Sequence, residues 1–293
     1  MILNYLQKDK DITELSNFKT KAKSKYYFEI HNRQDIEKLS EIYNYGKSNN
    51  MKILFIWWGT NLLFAFDIFE GIIIKNCLEW WSYNNETKIL ESYSNEKISD
   101  ISKSLYNDGQ TLWKRFIWLP WSIWWAVYWN AWCFWLETEN NFLEAEVLNL
   151  ETWKREFLNK EDSRFEYRNS IYKKENKYFI IKIKFDLSKK IEKYHSNVDN
   201  IDFRENKQPK GNSCWSFFKN PSKDFSAGKL IEDSWFKWKK VWWAYFSEKH
   251  ANFLMTENNA SYKDLLTLIK EVKENVKNKY DIELINEVRI ITN

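Results

Sequence analysis

Glycine is scarce in this sequence, 6 residues in 293, where a soluble chain carries about 7%. Cysteine is scarcer still. Cys77, Cys133 and Cys214 lie far apart and form no CxxC or Cys/His spacing, which argues against a disulfide framework or a metal site and leaves free thiols in a reducing cytosol. The first residues, MILNYLQKDKDITEL, lack the apolar stretch a secretion signal needs. Nor is one sign of charge in excess: a formal +4 with both signs scattered leaves no basic stripe for a nucleic acid. The length allows two domains and a sizeable core.

What the chain has in plenty is tryptophan, 18 residues. Trp118, Trp121, Trp124, Trp125, Trp129, Trp132 and Trp135 fall within Phe116 to Leu136, a run of 21 uncharged residues directly after Lys114 and Arg115. Length and polarity alone make that run a membrane-span candidate. Against this, Pro120 and Asn130 interrupt it, and bilayer spans confine tryptophan to the interfaces instead of spreading it along their length. A protein anchored through this run is therefore the rival to be tested, by partition into detergent.

Tryptophan and glycine together fill about 8% of the 293 positions, an ordinary share for glycine alone. We therefore expect most of the written tryptophans to stand where the native protein has glycine. Some bacterial codes read UGA as glycine and others as tryptophan, which supplies the route. The central run then reads GLPGSIGGAVYGNAGCFG, a loop whose backbone N–H groups can approach a pyrophosphate and adopt positive φ. Trp57-Trp58-Gly59-Thr60-Asn61-Leu62-Leu63 likewise reads GGGTNLL, after a strand expected at Ile53 to Ile56. The segment from Asp233 reads DSGFKGKKVGGAYFSEKHANF, with Trp235, Trp238, Trp242 and Trp243 on glycine positions. Trp153 falls in LETGKREF, a hairpin turn with glycine at a left-handed position.

Restored in this way, Trp118 to Trp135 resembles the G-x-P-G-x-x-G-G-A-x-x-x-N-A-G flavin segment of the UDP-N-acetylenolpyruvylglucosamine reductases, also called UDP-N-acetylmuramate dehydrogenases. The resemblance extends from Asn17 to Ile291 because further motifs follow in the family's order. It implies an α+β fold: an FAD-binding domain of the vanillyl-alcohol-oxidase-like type over 1–187, in two lobes of about 1–77 and 78–187, and a smaller α+β substrate domain over 188–293. The short connection Asn197 to Gln208 resembles the family's shorter form. The implied cofactors are FAD and NADPH, and the implied substrate is UDP-N-acetylglucosamine enolpyruvate. For the flavin, the matching positions are Trp57, Trp58, Gly59, Thr60, Asn61, Leu62, Pro120, Ser122, Trp124, Trp125, Ala126, Asn130 and Ala131.

Three positions match the family's catalytic residues. Arg168, in Glu166-Tyr167-Arg168-Asn169-Ser170, matches the arginine that holds the substrate carboxylate, a task suited to a planar, permanently charged fork. Ser216, in Gly211-Asn212-Ser213-Cys214-Trp215-Ser216-Phe217-Phe218-Lys219-Asn220-Pro221, matches the serine that protonates the substrate. Glu287, in Asn286-Glu287-Val288-Arg289-Ile290, matches the glutamate that works beside them. Tyr167, Lys219, Asn220, Lys229 and Lys249 fall to the substrate and its diphosphate, and no metal is called for. The whole implies a cytoplasmic, monomeric enzyme of peptidoglycan precursor synthesis without nucleic-acid or membrane partners. If the tryptophans are genuine, the alternative is a decayed, non-catalytic flavoprotein relative.

Periodicity gives further elements. Ile36, Leu39 and Ile42 set one face of a helix from Asp35 to about Asn49. Residues 17–30 read as an opening strand pair, and strands are expected at 68–78, 142–150, 178–187 and 286–290. Ser261 with Asp264 forms a capping-box start to a helix through Tyr280, whose apolar face is Leu265, Leu268, Ile269, Val272 and Val276.

Overall fold

The computed structural model describes residues 2–59, 61–117, 119, 121–133, 136–188, 209–222, 225–257 and 260–293. Thr60, Pro120 and the connection Asn197 to Gln208 therefore lie outside the described residues. The chain gathers into two compact units, one of 1–28, 45–74 and 203–293, the other of 29–44 and 75–202.

The second of these is built on a five-stranded antiparallel sheet. Its order is Arg155–Asn159, Phe142–Asn149, Tyr178–Asp186, Ile89–Tyr93, Trp81–Asn84. Alternation decides the faces of its middle strand. Ile183 and Phe185 are fully buried, while Lys182 and Lys184 point outward to Glu91 and Glu144, each pair at 2.8 Å. An irregularity in register at Ile181 keeps Ile180 in the same core as Ile183 and Phe185, with Ile181 buried as well. The helix Ile98–Asn107 contributes Ile98, Ile101 and Leu105 to the same core, the spacing of a single helical face.

The first unit holds a four-stranded sheet in the order Asn212–Ser216, Phe253–Thr256, Ala244–Phe246, Lys240–Val241. The helix Tyr262–Tyr280 shares a core with it, burying the five residues expected from its period. Ser261 and Asp264 cap that helix reciprocally. A second sheet in this unit runs Gln7–Asp11, Lys23–Ile30, Ile68–Asn76, Ile53–Ile56.

Three expectations change. The partner of Lys23–Ile30 is Gln7–Asp11, upstream of the expected pair, because Ser16 and Phe18 are taken into a packed loop: the Ser16 hydroxyl donates to Leu62 O at 2.6 Å and Phe18 is buried. The helix after residue 30 starts earlier, capped by Asn32, and divides at Lys38 into Arg33–Glu37 and Leu39–Ser48, with Ile36, Leu39 and Ile42 still buried. The last strand is Arg289–Ile291, parallel to Leu62–Phe64, and Asn286 instead bridges to Phe218.

No helix among the described residues is long and apolar enough to cross a membrane. The uncharged central run contains a helix of only 6 residues, Ile123–Tyr128, whose Ile123, Ala126 and Val127 enter the protein core, and then a two-residue strand, Trp132–Cys133. A span needs about 20 residues of helix.

Tryptophan occupies several positions whose backbone is left-handed, with φ of 58° at Trp153, 68° at Trp215, 64° at Trp235, 74° at Trp238 and 51° at Trp242. Each has an identifiable local cause. Trp235 follows the helix Ala227–Asp233 and its capping serine; Trp235 N–H donates to Glu232 O and Phe236 N–H to Ile231 O, the Schellman ending that glycine ordinarily completes. Trp238 is the third residue of a turn closed by Lys239 N–H on Phe236 O at 3.0 Å, where a type II geometry calls for glycine. Trp242 opens the two-residue loop between paired Val241 and Ala244, a hairpin that favours glycine at that place. Trp153 sits in the hairpin after Phe142–Asn149, as the glycine reading expects. Trp113 differs: it is buried against Phe116 and Phe185 and donates its indole N–H to Asn141 at 3.4 Å.

Trp235 is 87% exposed and Trp242 78%, so removing either indole forfeits little packing. Left-handed backbone costs a non-glycine residue about 1–2 kcal/mol and glycine's extra chain entropy returns about 0.5–1. Trp235→Gly and Trp242→Gly should each raise stability by about 0.5–1 kcal/mol, read as a higher urea midpoint at constant slope. A lowered midpoint in both would mean that the indoles support their turns.

Candidate active site

Ser216 ends the strand Asn212–Ser216, whose register with Phe253–Thr256 breaks: Ser213 faces Met255 and Ser216 faces Phe253. Cys214 and Trp215 together therefore oppose Leu254. This is a bulge, with its left-handed residue at Trp215, and bulges turn the following side chain away from the regular pleat. Cys214 points inward, its thiol on Leu62 O at 3.6 Å and pushed far above the ordinary range by burial. Ser216 is half-buried, and its hydroxyl has no hydrogen-bond partner among the described residues.

The residues after it are held from behind. Phe217 N–H donates to Asn252 O, while the Asn252 amide receives Phe218 N–H and donates to Phe218 O, at 2.8–2.9 Å. Glu287 N–H donates to Phe217 O at 2.8 Å, tying the glutamate segment to the residue next to Ser216. Asn61 joins the same cluster, donating from its side chain to Glu287 O at 3.1 Å and accepting Arg289 N–H. The Glu287 side chain is exposed. Asn252 and this backbone pairing are absent from the sequence reading, since no local pattern links residues so far apart.

In the glycine loop of this unit, Gly59 runs so close to Leu15 that a Cβ would lie 1.4 Å from its carbonyl oxygen. Only glycine fits. Trp57 is buried and Trp58 is partly exposed, and Leu62 accepts the Ser16 hydroxyl on its carbonyl. Among the substrate candidates, Lys219 and Lys249 are exposed. Asn220 is exposed too, but its side-chain oxygen is taken by Ala227 N–H at 3.0 Å. Lys229 is paired with Asp233 at 2.8 Å, which holds its ammonium above the ordinary pKa.

In the unit of 29–44 and 75–202, Ser122 caps the helix Ile123–Tyr128 by accepting Trp125 N–H at 3.2 Å. Ile123 N–H and Trp124 N–H donate to Glu96 O and Ser94 O at 2.8 and 2.7 Å, so these amides are already engaged. Ala126 and Ala131 are fully buried. The helix ends in a Schellman motif with Asn130 left-handed at φ 41°, Asn130 N–H on Val127 O and Ala131 N–H on Ala126 O. The indole N–H of Trp129 is buried without a partner among the described residues, an unusual state for a genuine tryptophan.

Arg168 lies in a tight turn in which Glu166 and Asn169 exchange both backbone hydrogen bonds at 3.0 Å. Arg168 takes φ 56°, and Tyr167 is 77% exposed beside it. A left-handed arginine is strained, as residues at functional sites often are. Nearby, Glu137 is held above the ordinary carboxylate range by burial and by the hydrogen bond and charge of Glu139, against the opposing pull of Asn130 and Arg168. The sequence reading passed over Glu137 and Glu139, although both stand just past the uncharged run. Glu29, His31 and Cys77 offer donor atoms within 4.8 Å of one another, a grouping no sequence spacing reveals. His31 there is paired with Glu29 at 2.9 Å, and burial pushes the Cys77 thiol up to about 11.

Residues 207–291 match the family model for the C-terminal domain of UDP-N-acetylenolpyruvoylglucosamine reductase. The reductase of Petrotoga mobilis is 34% identical over 235 residues, covering 77% of this chain and 76% of that one. Reductase 2 of Bacillus cereus is 30% identical over 258 residues, 87% of this chain and 83% of that one. The crystal structure of the Thermus caldophilus reductase superposes with a TM-score of 0.76 over 98% of this chain and all of that one, at 18% identity, a likeness of fold. On these grounds the chain belongs to the UDP-N-acetylenolpyruvoylglucosamine reductase family, FAD-dependent and NADPH-driven oxidoreductases of peptidoglycan precursor synthesis.

Proposed function

We propose that Ser216, Arg168 and Glu287 carry the reduction of UDP-N-acetylglucosamine enolpyruvate in this chain. The observation that carries the reading is the bulge at Trp215, which presents a serine hydroxyl without a hydrogen-bond partner among the described residues, next to a backbone tied to Glu287. Arg168 pairs with the substrate carboxylate through its guanidinium fork and steadies negative charge there as it develops. Ser216 gives its proton to the substrate carbon. A hydroxyl is a weak acid, so position and nearby charge must make the transfer feasible. Glu287 works beside it at the enolpyruvyl group. Lys219 and Lys249, exposed and cationic, suit the diphosphate, with Tyr167, Asn220 and Lys229 as further contacts.

The flavin assignment of the first loop follows its match to the family's motif, with Gly59 set by close packing on the Leu15 carbonyl. Trp57, Trp58, Thr60, Asn61 and Leu62 complete that loop, and Pro120, Ser122, Trp124, Trp125, Ala126, Asn130 and Ala131 the second. Bound FAD supplies the hydride chemistry, from NADPH to the enolpyruvyl double bond. We read residues 1–187 as the FAD-binding domain and 188–293 as the substrate domain of a cytoplasmic monomer. Glycine at most tryptophan positions belongs to the same proposal, supported by the left-handed φ values and by the stranded indole of Trp129. A merely binding relative loses its ground, because the relatives that match over most of the chain are reductases by name.

Two experiments test this reading. Ser216→Ala should leave flavin reduction by NADPH intact and slow flavin reoxidation by substrate about 10² to 10⁴-fold in stopped flow; fast reoxidation would remove Ser216 as the acid. Purified protein with glycine at the tryptophan positions should show a bound-flavin absorbance spectrum that the written sequence lacks. Flavin in neither, with both folded, would sink the cofactor assignment for these loops.

A further inference from the structure

We infer that Asn130 is a positioning residue for Arg168, joining the central glycine segment to the arginine turn. The inference rests on the role proposed above for Arg168. Its basis is the use Asn130 makes of its amide while 1% exposed. The side-chain nitrogen donates to Glu137 Oε2 at 3.0 Å, Glu139 Oε1 at 3.3 Å and Glu166 O at 3.2 Å, and the side-chain oxygen accepts Glu139 N–H at 3.0 Å. Two N–H bonds shared among three acceptors leave the group fully spent.

Glu166 O is the point that matters. The same oxygen accepts Asn169 N–H and so closes the turn that holds Arg168 at φ 56°. A strained residue keeps such a conformation only when its surroundings over-determine it. Here Asn130 grips the first carbonyl of the turn, Lys173 Nζ donates to Arg168 O at 3.0 Å, and the Ser170 hydroxyl donates to Tyr128 O at 2.8 Å. Tyr128, Trp129 and Asn130 are consecutive, so the end of the helix Ile123–Tyr128 fastens both sides of the turn.

Charge points the same way. The groups around Asn130 are Glu137 and Glu139, with Lys160 3.5 Å from Glu139, and Arg168 acts on Glu137. An amide can donate to both carboxylates and to the carbonyl at once; an aspartate at 130 would add a third negative group. Asparagine also tolerates the left-handed backbone of the helix end, so one residue meets both demands.

This separates two variants. Asn130→Gly keeps the left-handed helix end and deletes only the amide, and Asn130→Asp keeps the shape and reverses the donor. In the flavin-holding protein, with rates taken per bound flavin, Asn130→Gly should raise KM for the enolpyruvyl substrate about tenfold, the scale of one hydrogen bond at a charged site. Asn130→Asp should do more. In an Arg168→Ala background, Asn130→Gly should add nothing, since its effect passes through the arginine. An unchanged KM in Asn130→Gly beside a large effect of Arg168→Ala overturns the inference alone. An equal further rise in KM when Asn130→Gly is added to Arg168→Ala overturns it, since the effect would then bypass the arginine. No effect of Arg168→Ala overturns the arginine's assigned role and the inference with it.

Discussion

The structure depends on backbone that only glycine adopts without strain. Four such residues, Trp215, Trp235, Trp238 and Trp242, fall within one short stretch of the first unit. They make the bulge before Ser216, the end of the helix Ala227–Asp233, the turn after it and the hairpin that sets Ala244–Phe246 beside Phe253–Thr256. The strand bearing Ser216 is paired to that same Phe253–Thr256. Strain in the turns is therefore strain in the support of the serine. With Trp153, five left-handed tryptophans cost roughly 5–10 kcal/mol at 1–2 each. That approaches the whole folding stability of a domain, about 5–15 kcal/mol. Glycine removes the conflict at every one of these positions, which is why composition and backbone geometry lead to one reading.

What was legible in the sequence was local. The strand Ile53–Ile56 and the helix Tyr262–Tyr280 follow from apolar periodicity, and the capping box at Ser261 involves residues three apart. The left-handed position at 153 follows from turn chemistry. The illegible parts are bonds between distant residues. Glu287 reaches Phe217, and Asn130 reaches Glu166, through backbone carbonyls that carry no side-chain signature. The displaced last strand has the same cause: Arg289–Ile291 is fixed by parallel pairing with Leu62–Phe64, while Asn286 is drawn to Phe218. The membrane-like run, already read against a span because of its proline, asparagine and scattered tryptophan, has another explanation. Its lack of charge is that of a short helix packed into the protein core, where Ile123, Ala126 and Val127 disappear from solvent.

The two halves of the candidate chemistry are built by one method. In each, a buried asparagine commits its side-chain amide to partners near the reactive residue: Asn252 to the Phe218 backbone near Ser216, and Asn130 to two carboxylates and the Glu166 carbonyl near Arg168. Arg168 stays exposed in front, and Ser216 partly so. Buried hydrogen bonds are strongest where water is excluded, and a reactive group must remain open to its substrate. Placing the bonds two residues away from the chemistry meets both conditions. A serine locked by its own hydroxyl could not give up its proton without first breaking that bond, and an arginine buried in an ion pair would have to leave one carboxylate to take another. Holding the neighbouring backbone instead fixes the position of each group and leaves its functional atoms free to react.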